Sequence, residues 1–287
     1  MKAVFKHELH SYFTTVSGYV FGTFILLFAG IYTYAVNIKG LVSDFQYIPG
    51  SMKFIFIAII PVLTMRMFAE ERHQRTDQLL YSLPISMKKV VLGKYFAALV
   101  MLLVPICIMG IYPVIYSFFG KEVFSMAYGS LFGFFLLGAA LIAIGMFIST
   151  LTDSQAVAAG ICFVVMLLNY FMTSLADYLP KRANYSYIAI SVCIVLLGAL
   201  IWFMTKSPLV ALGTACVFEG VLVLFYKAKP FKFVNLFPSI VGNLSLFDRF
   251  ASFTEGILDL SCAVYMISVA ALFLFFSVQA LEKRRWS

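Results

Sequence analysis

Between Arg66 and Lys94 the chain carries its one long polar run, RMFAEERHQRTDQLLYSLPISMKKVVLGK, flanked by apolar stretches of membrane length. Its residue types suit binding better than bond-making. Thr76-Asp77 reads as a helix start, because the threonine hydroxyl accepts from an orphan N–H and an acid in the first turn suits the helix dipole. Leu79, Leu80 and Leu83 then fall on one side of a short helix. Pro84 stops that helix, having no N–H and crowding the turn before it. Ser86 caps a second helix that passes Lys88, Lys89 and Lys94 into the next span. Glu70, Glu71 and Arg72 precede the leucines with both signs of charge. A leucine knob between charged ends is the form of a helix that docks into a partner's groove, the charges fixing its register. The plainer alternative is a solvated loop between two spans.

Three other groups have the types for chemistry. Glu219 lies inside an apolar run, where a carboxylate is costly and faces protein or a water-filled cavity. It is either a substrate- or proton-binding group, or a protonated or paired acid holding two helices together. His7-Glu8-Leu9-His10 has ligand types, but the spacing is not His-Glu-x-x-His and no other ligand cluster accompanies it. Cys107, Cys162, Cys193, Cys216 and Cys262 all fall in apolar runs without Cys-x-x-Cys spacing, which reads as buried packing. Gly93-Lys94 lacks the upstream glycine of a phosphate-cradling loop, and no Gly-x-Ser-x-Gly is present. The chain is read as a non-enzyme.

These residues must be positioned by a membrane fold. The 287 residues are 62% hydrophobic and 12% charged, against about half and about a quarter in soluble domains. The expected fold is all-α, a single polytopic membrane domain over 1–287 with about eight transmembrane helices. Residues 1–17 read as an amphipathic interfacial helix, with Phe5, Leu9, Tyr12, Phe13 and Val16 at helical spacing. Lys2 and Lys6 ahead of an apolar run have the look of a signal peptide, but no small-residue cleavage site follows, and a retained first span is expected. Spans are placed at 18–37, 54–69, 95–118, 126–149, 156–176, 187–204, 208–226 and 260–281. Pro61 sits within the second, as a hinge or a tolerated kink. The fourth is rich in small residues, among them Gly133, Gly138 and Gly145, which allow close helix approach. Residues 229–259 alternate phenylalanines with Pro230, Pro238 and Gly242, and read as short external re-entrant helices; Phe247, Phe250 and Phe253 are the expected gate residues there.

The net charge of +8 fits basic residues set against anionic lipid rather than nucleic acid, as no arginine-rich strip occurs. With the N-terminus inside, 12 of the 21 Lys and Arg fall in cytoplasmic segments, densest in 66–94 and at Lys283-Arg284-Arg285. Both termini are therefore expected in the cytoplasm, in the plasma (inner) membrane.

Glu70-Glu71-Arg72, Thr76-Asp77-Gln78-Leu79-Leu80, Pro84 and Gly93-Lys94 resemble the cytoplasmic signature of ABC-2-type transporter permeases. Arg75 stands where that family usually has glycine, and Asp77 where it usually has glutamate. Phe250-x-x-Phe253, Gly256-x-x-Asp259, Tyr265 and the ending Leu281 to Trp286 resemble its gliding-motility-associated branch. The resemblance implies a permease subunit without its own ATPase site, served by separate ABC ATPase subunits that bind ATP and Mg, and paired with an identical or related second permease. It implies that the helix at Thr76–Pro84 couples to those ATPases, that export is the direction, and that the hairpin at 185–228 is an addition to six family spans. Two rival functions stay open on the residues: a secondary transporter or channel built on Glu219, and a membrane anchor for an ATPase-driven machine.

Overall fold

A computed structural model describes residues 1–40, 44–73, 86–118, 123–205, 208–228, 230–257 and 259–286. The leucine-bearing helix expected over Thr76–Pro84 lies outside them. Among the described residues every regular element is helical and none is a strand. In chain order the elements are α1 (Lys2–Thr14), α2 (Val16–Tyr32, continued by a π turn Thr33–Ile38), α3 (Tyr47–Met52), α4 (Ile55–Thr64), α5 (Ala69–His73), α6 (Met87–Met109) and α7 (Tyr112–Tyr116). Then follow α8 (Phe124–Leu151), α9 (Gln155–Tyr178), α10 (Ala183–Thr205), α11 (Pro208–Ala228), a 3-10 turn (Pro230–Phe233), α12 (Leu236–Asn243), α13 (Leu246–Thr254) and α14 (Leu260–Trp286).

Five stretches among the described residues are long and apolar enough to cross a membrane: Gly18–Ile38, Met87–Tyr116, Phe124–Leu151, Gln155–Tyr178 and Leu260–Arg284. The chain is thus an all-α polytopic membrane protein. The second expected span takes a different form. α4 has only 10 residues, it follows α3 after a turn at Lys53-Phe54, and Pro61 inside it removes one backbone donor. Nearly all its side chains are buried, so it is enclosed by protein and need not be as long as a lipid-facing helix.

The chain divides into two compact units, 1–170 with 246–287, and 171–245. In the first, α8 is the central helix. It packs against α4, α6, α13 and α14, and it is by far the most enclosed of the five long stretches. Its small residues make that possible. A Cβ on Gly145 would fall 2.5 Å from Thr64 Oγ1 and 2.9 Å from Thr64 Cβ, so α4 and α8 meet at a separation only glycine permits. A Cβ on Gly133 would fall 2.5 Å from the Phe253 ring, which seats α13 on the same helix. Phe134 stacks on Phe56 with ring centroids 4.3 Å apart, and the Tyr95 hydroxyl donates to Ala139 O at 3.1 Å, tying α6 to α8.

This packing carries a direct expectation. Gly145→Ala forces the α4–α8 contact apart and costs about 1–3 kcal/mol, the range for overfilled cores. Gly160→Ala, at a glycine with open space around it, should leave stability unchanged or raise it, because alanine is the better helix former. Thermal melting in detergent, followed by size-exclusion chromatography, reads both; equal melting points would show that the contact is not tight.

In the second unit α10 and α11 (23 and 21 residues) form an antiparallel pair. Asn184 meets Tyr226 at one end, and Ser191 meets Glu219 further along. Asn235, at φ 61°, turns the chain into α12, and its N–H donates to Lys181 O at 2.9 Å. The aromatic stretch 229–259 is therefore shared: the 3-10 turn and α12 belong to this unit, α13 to the other.

Candidate functional site

The described ends of the 66–94 run are held by two groups of side chains. The first starts from a glycine. A Cβ on Gly93 would lie 3.1 Å from Val4 Cγ1, so α1 rests closely on the start of α6. That seating turns Glu8 of α1 toward Lys94, two turns into α6. Lys94 Nζ donates to Glu8 Oε1 and to Glu71 Oε1, both at 2.7 Å. The lysine side chain is 3% exposed, and those of Glu8 and Glu71 are 15% and 28% exposed. The ammonium also lies 5.3 Å from the centroid of the Phe68 ring. A buried cation is tolerable only when paired and hydrogen-bonded, and these groups meet that condition. Glu71 and Lys94 stand on opposite sides of the 74–85 stretch, so their contact ties its two described flanks together. Tyr12, buried beside them, has its hydroxyl pKa pushed up by burial first and by Glu8, Glu71 and Glu70 after it.

The second group fastens α5 to the end of α8. Ser149 Oγ accepts from the N–H groups of Phe68 and Ala69, at 3.2 and 3.1 Å, which satisfies donors that the start of a helix leaves orphaned. Arg72 donates to Thr150 O, to Thr152 O at 2.9 Å and to Asp153 Oδ1 at 3.4 Å. From the far end of the chain, Arg284 of α14 donates to Asp153 Oδ1 at 2.9 Å and to Leu151 O at 3.2 Å. Two cations at a helix C-terminus complement its dipole and satisfy its last carbonyls. The Arg284 hydrogen bond, helped by the charges of Arg284 and Arg72, holds the Asp153 carboxyl below the usual carboxylate range against the opposing effect of burial. The folded pKa is the lower one, so the pair's contribution is present above the ordinary carboxylate range. It is lost as pH falls through the lowered value.

The N-terminal helix, both flanks of the polar run, the turn after α8 and the C-terminal helix thus meet at one end of the first unit. The arrangement can transmit force: α5 is fastened to the central helix, and α6 and α1 are fastened to α5. Among the described residues no three His, Cys, Asp or Glu side chains are placed to hold a metal ion. Glu8, part of the His-Glu pair that suggested ligand chemistry, is committed to Lys94.

Of the residues singled out from sequence, Glu71 and Arg72 are in these two groups and Glu70 is half-buried beside them. Thr76, Asp77, Leu79, Leu80, Leu83 and Pro84 lie outside the described residues. Glu219 accepts a hydrogen bond from Ser191 Oγ at 2.7 Å within the α10–α11 pair. Phe247, Phe250 and Phe253 all point into the first unit and are buried. Phe247 meets Tyr170 edge-on at 5.3 Å, Phe250 meets Phe134 at 6.1 Å, and Phe253 covers Gly133. Ser149 and Asp153 were not singled out; Glu8 entered only between two histidines, Arg284 only in the basic C-terminal cluster, and Lys94 only in a motif and in the helix capped by Ser86. A lysine that the sequence sets at the mouth of an apolar run was the available signal for a buried ion pair.

A family model described as ABC-2 family transporter protein matches residues 9–189. That range contains α5, the polar run, α6 and the end of α8. Comparison with curated proteins gave no match, and comparison with solved structures gave none.

Proposed function

We propose, from the premise that the chain belongs to the ABC-2 transporter family, that it is the permease subunit through which separate ATPase chains drive export. The family makes it a membrane permease of an ABC-type transporter, with ABC ATPases as partners in general. The 66–94 run is the coupling element. Leu79, Leu80 and Leu83 seat in a groove of the ATPase, Glu70 and Asp77 fix the register, and Glu71 and Arg72, engaged within the bundle, carry the push inward. ATP and Mg are held by the ATPase, and its closure pushes the loop.

The observation that carries this reading is the pairing of Glu71 with Lys94, both bound into the bundle. A loop that only joined two spans would not need its flanks locked to each other and to the central helix. Work done on the loop is useful only if the bundle has two arrangements that the push distinguishes. The path from Arg72 and Ser149 into α8 is the part that would differ between them. A second permease, identical or related, completes the pathway. The plasma membrane with both termini cytoplasmic is the setting, and the C-terminal Phe250 to Trp286 pattern supports the gliding-motility-associated branch. Glu219, engaged with Ser191 between two helices, is read as holding the α10–α11 pair rather than as an ion-coupling site.

The test is affinity purification of the tagged chain from mild detergent, with ATP hydrolysis measured on the eluate. Wild type should bring down an ATPase, and Leu79→Asp/Leu80→Asp should lose it while eluting at the same volume. An eluate without ATPase from both would overturn the coupling role. ATPase recovery without vectorial movement of any substrate in reconstituted vesicles would favour the anchor reading.

A further inference from the structure

A groove of about 590 Å³ runs between α1 and α6 and reaches α8. Phe5, Phe96, Leu99, Leu103 and Phe135 form its walls, and Lys2 is the charged residue that lines it. We propose that it is a binding site for an anionic phospholipid, with an acyl chain in the groove and the phosphate on Lys2.

Three observations select that occupant. The groove follows α6, one of the stretches long enough to cross a membrane, and Phe96 and Leu103 remain 41% and 42% exposed along it. An apolar trough on such a helix opens onto hydrocarbon, and its volume lies within the about 300–1,000 Å³ of small-molecule sites. The one charged side chain among its lining residues is a cation, Lys2. Lys2 and Lys6 stand one turn apart on α1, and exposed Lys88 and Lys89 open α6. The acid of α1, Glu8, is already committed to Lys94. Finally, the pattern is that of an amphiphile: one cation, Lys2, and walls otherwise without a polar side chain. A phosphate with a second anionic or neutral headgroup group complements the first, and a hydrocarbon chain complements the second.

Bound lipid would brace α1 against α6. The full chain, purified in detergent, is titrated with phosphatidylglycerol and with phosphatidylcholine of the same acyl chains, and retained lipid is read by native mass spectrometry. Wild type should retain phosphatidylglycerol about fivefold over phosphatidylcholine, one lysine's share at an anionic surface. Lys2→Glu should remove that preference, and Leu99→Trp, which fills the groove, should reduce retention of both. If the tryptophan variant does not fold, Leu103→Phe at an exposed wall position replaces it; Lys2 is exposed, so its variant keeps the fold. Hydrogen exchange over residues 2–14 should slow with phosphatidylglycerol and not with phosphatidylcholine. Equal retention of the two lipids by wild type overturns the proposal. So does retention unaffected by the groove variants, or a groove variant that breaks a dimer without changing lipid.

Discussion

Lys94→Met should lower the melting point of the detergent-solubilised protein more than any other single substitution at this end of the bundle. The change removes a cation held by two acids and leaves Glu8 and Glu71 facing each other across an apolar side chain. Both acids are less than a third exposed, so water screens them only partly. Breaking a buried ion pair by deleting one partner costs about 3–5 kcal/mol, a large part of the ~5–15 kcal/mol that holds a typical domain together. Lys94→Arg should not rescue it, because the wider planar guanidinium cannot take the place of a compact ammonium between two oxygens and the Phe68 ring. The informative comparison is the triple variant Glu8→Gln/Glu71→Gln/Lys94→Met. Replacing every member of a buried ionic group by neutral residues of similar volume is often neutral. The triple variant should therefore recover most of the stability lost by Lys94→Met. A single variant as stable as wild type, or a triple variant no better than the single, would show that the ion pairs do not hold α1 and α5 to α6.

What could be read from sequence, and what could not, divides along the range of the interaction. The helical face of α1 was legible because Phe5, Leu9 and Tyr12 recur at the helix period, which is local. The same holds for α13, where Phe247, Phe250 and Phe253 lie three apart and all turn inward. The small residues of α8 announced close packing, but not that Gly133 receives Phe253 and Gly145 receives Thr64. Lys94 shows the limit most clearly. Charge in a sequence reads as contact with water, so Lys94 was placed at the edge of a loop, with its span starting after it. The helix expected from a cap at Ser86 does run from Met87 through Lys94, but the lysine is buried because Glu8, 86 residues away, and Glu71, 23 residues away, come to it. No local pattern encodes such a meeting. The second expected span shows a related limit, since its helix Ile55–Thr64 is enclosed by protein. Hydropathy cannot distinguish a helix that faces lipid from a short one enclosed by protein, and α4 is the latter. The stretch 229–259 was legible as short aromatic helices, but which unit each half joins depends on partners far along the chain.

Arg72→Met should separate ATPase binding from its consequence. Arg72 ties α5 to the last carbonyls of α8 and to Asp153, while the leucines proposed to meet the ATPase begin seven residues further on. Deleting the guanidinium leaves the leucines untouched, so the ATPase should still co-purify in wild-type amount. The loss falls on transmission. A hydrogen bond to a charged group contributes about 1.5–3 kcal/mol, and coupling free energies between sites are about 1–3 kcal/mol, so transport per ATP hydrolysed should fall roughly tenfold or more. Arg284→Met provides the contrast, because Arg284 reaches the same carboxylate and the same helix end from α14 and leaves α5 fastened by Arg72 and Ser149. Its effect on transport should be small. If Arg72→Met releases the ATPase, the arginine belongs to the docking surface and not to the path behind it. If ATPase recovery and transport are both unchanged, the push does not travel through α5 into α8, and the Glu71–Lys94 contact with α6 becomes the remaining route into the bundle. Only a variant that binds, hydrolyses and fails to transport identifies the end of α8 as the place where work on the loop becomes movement of helices.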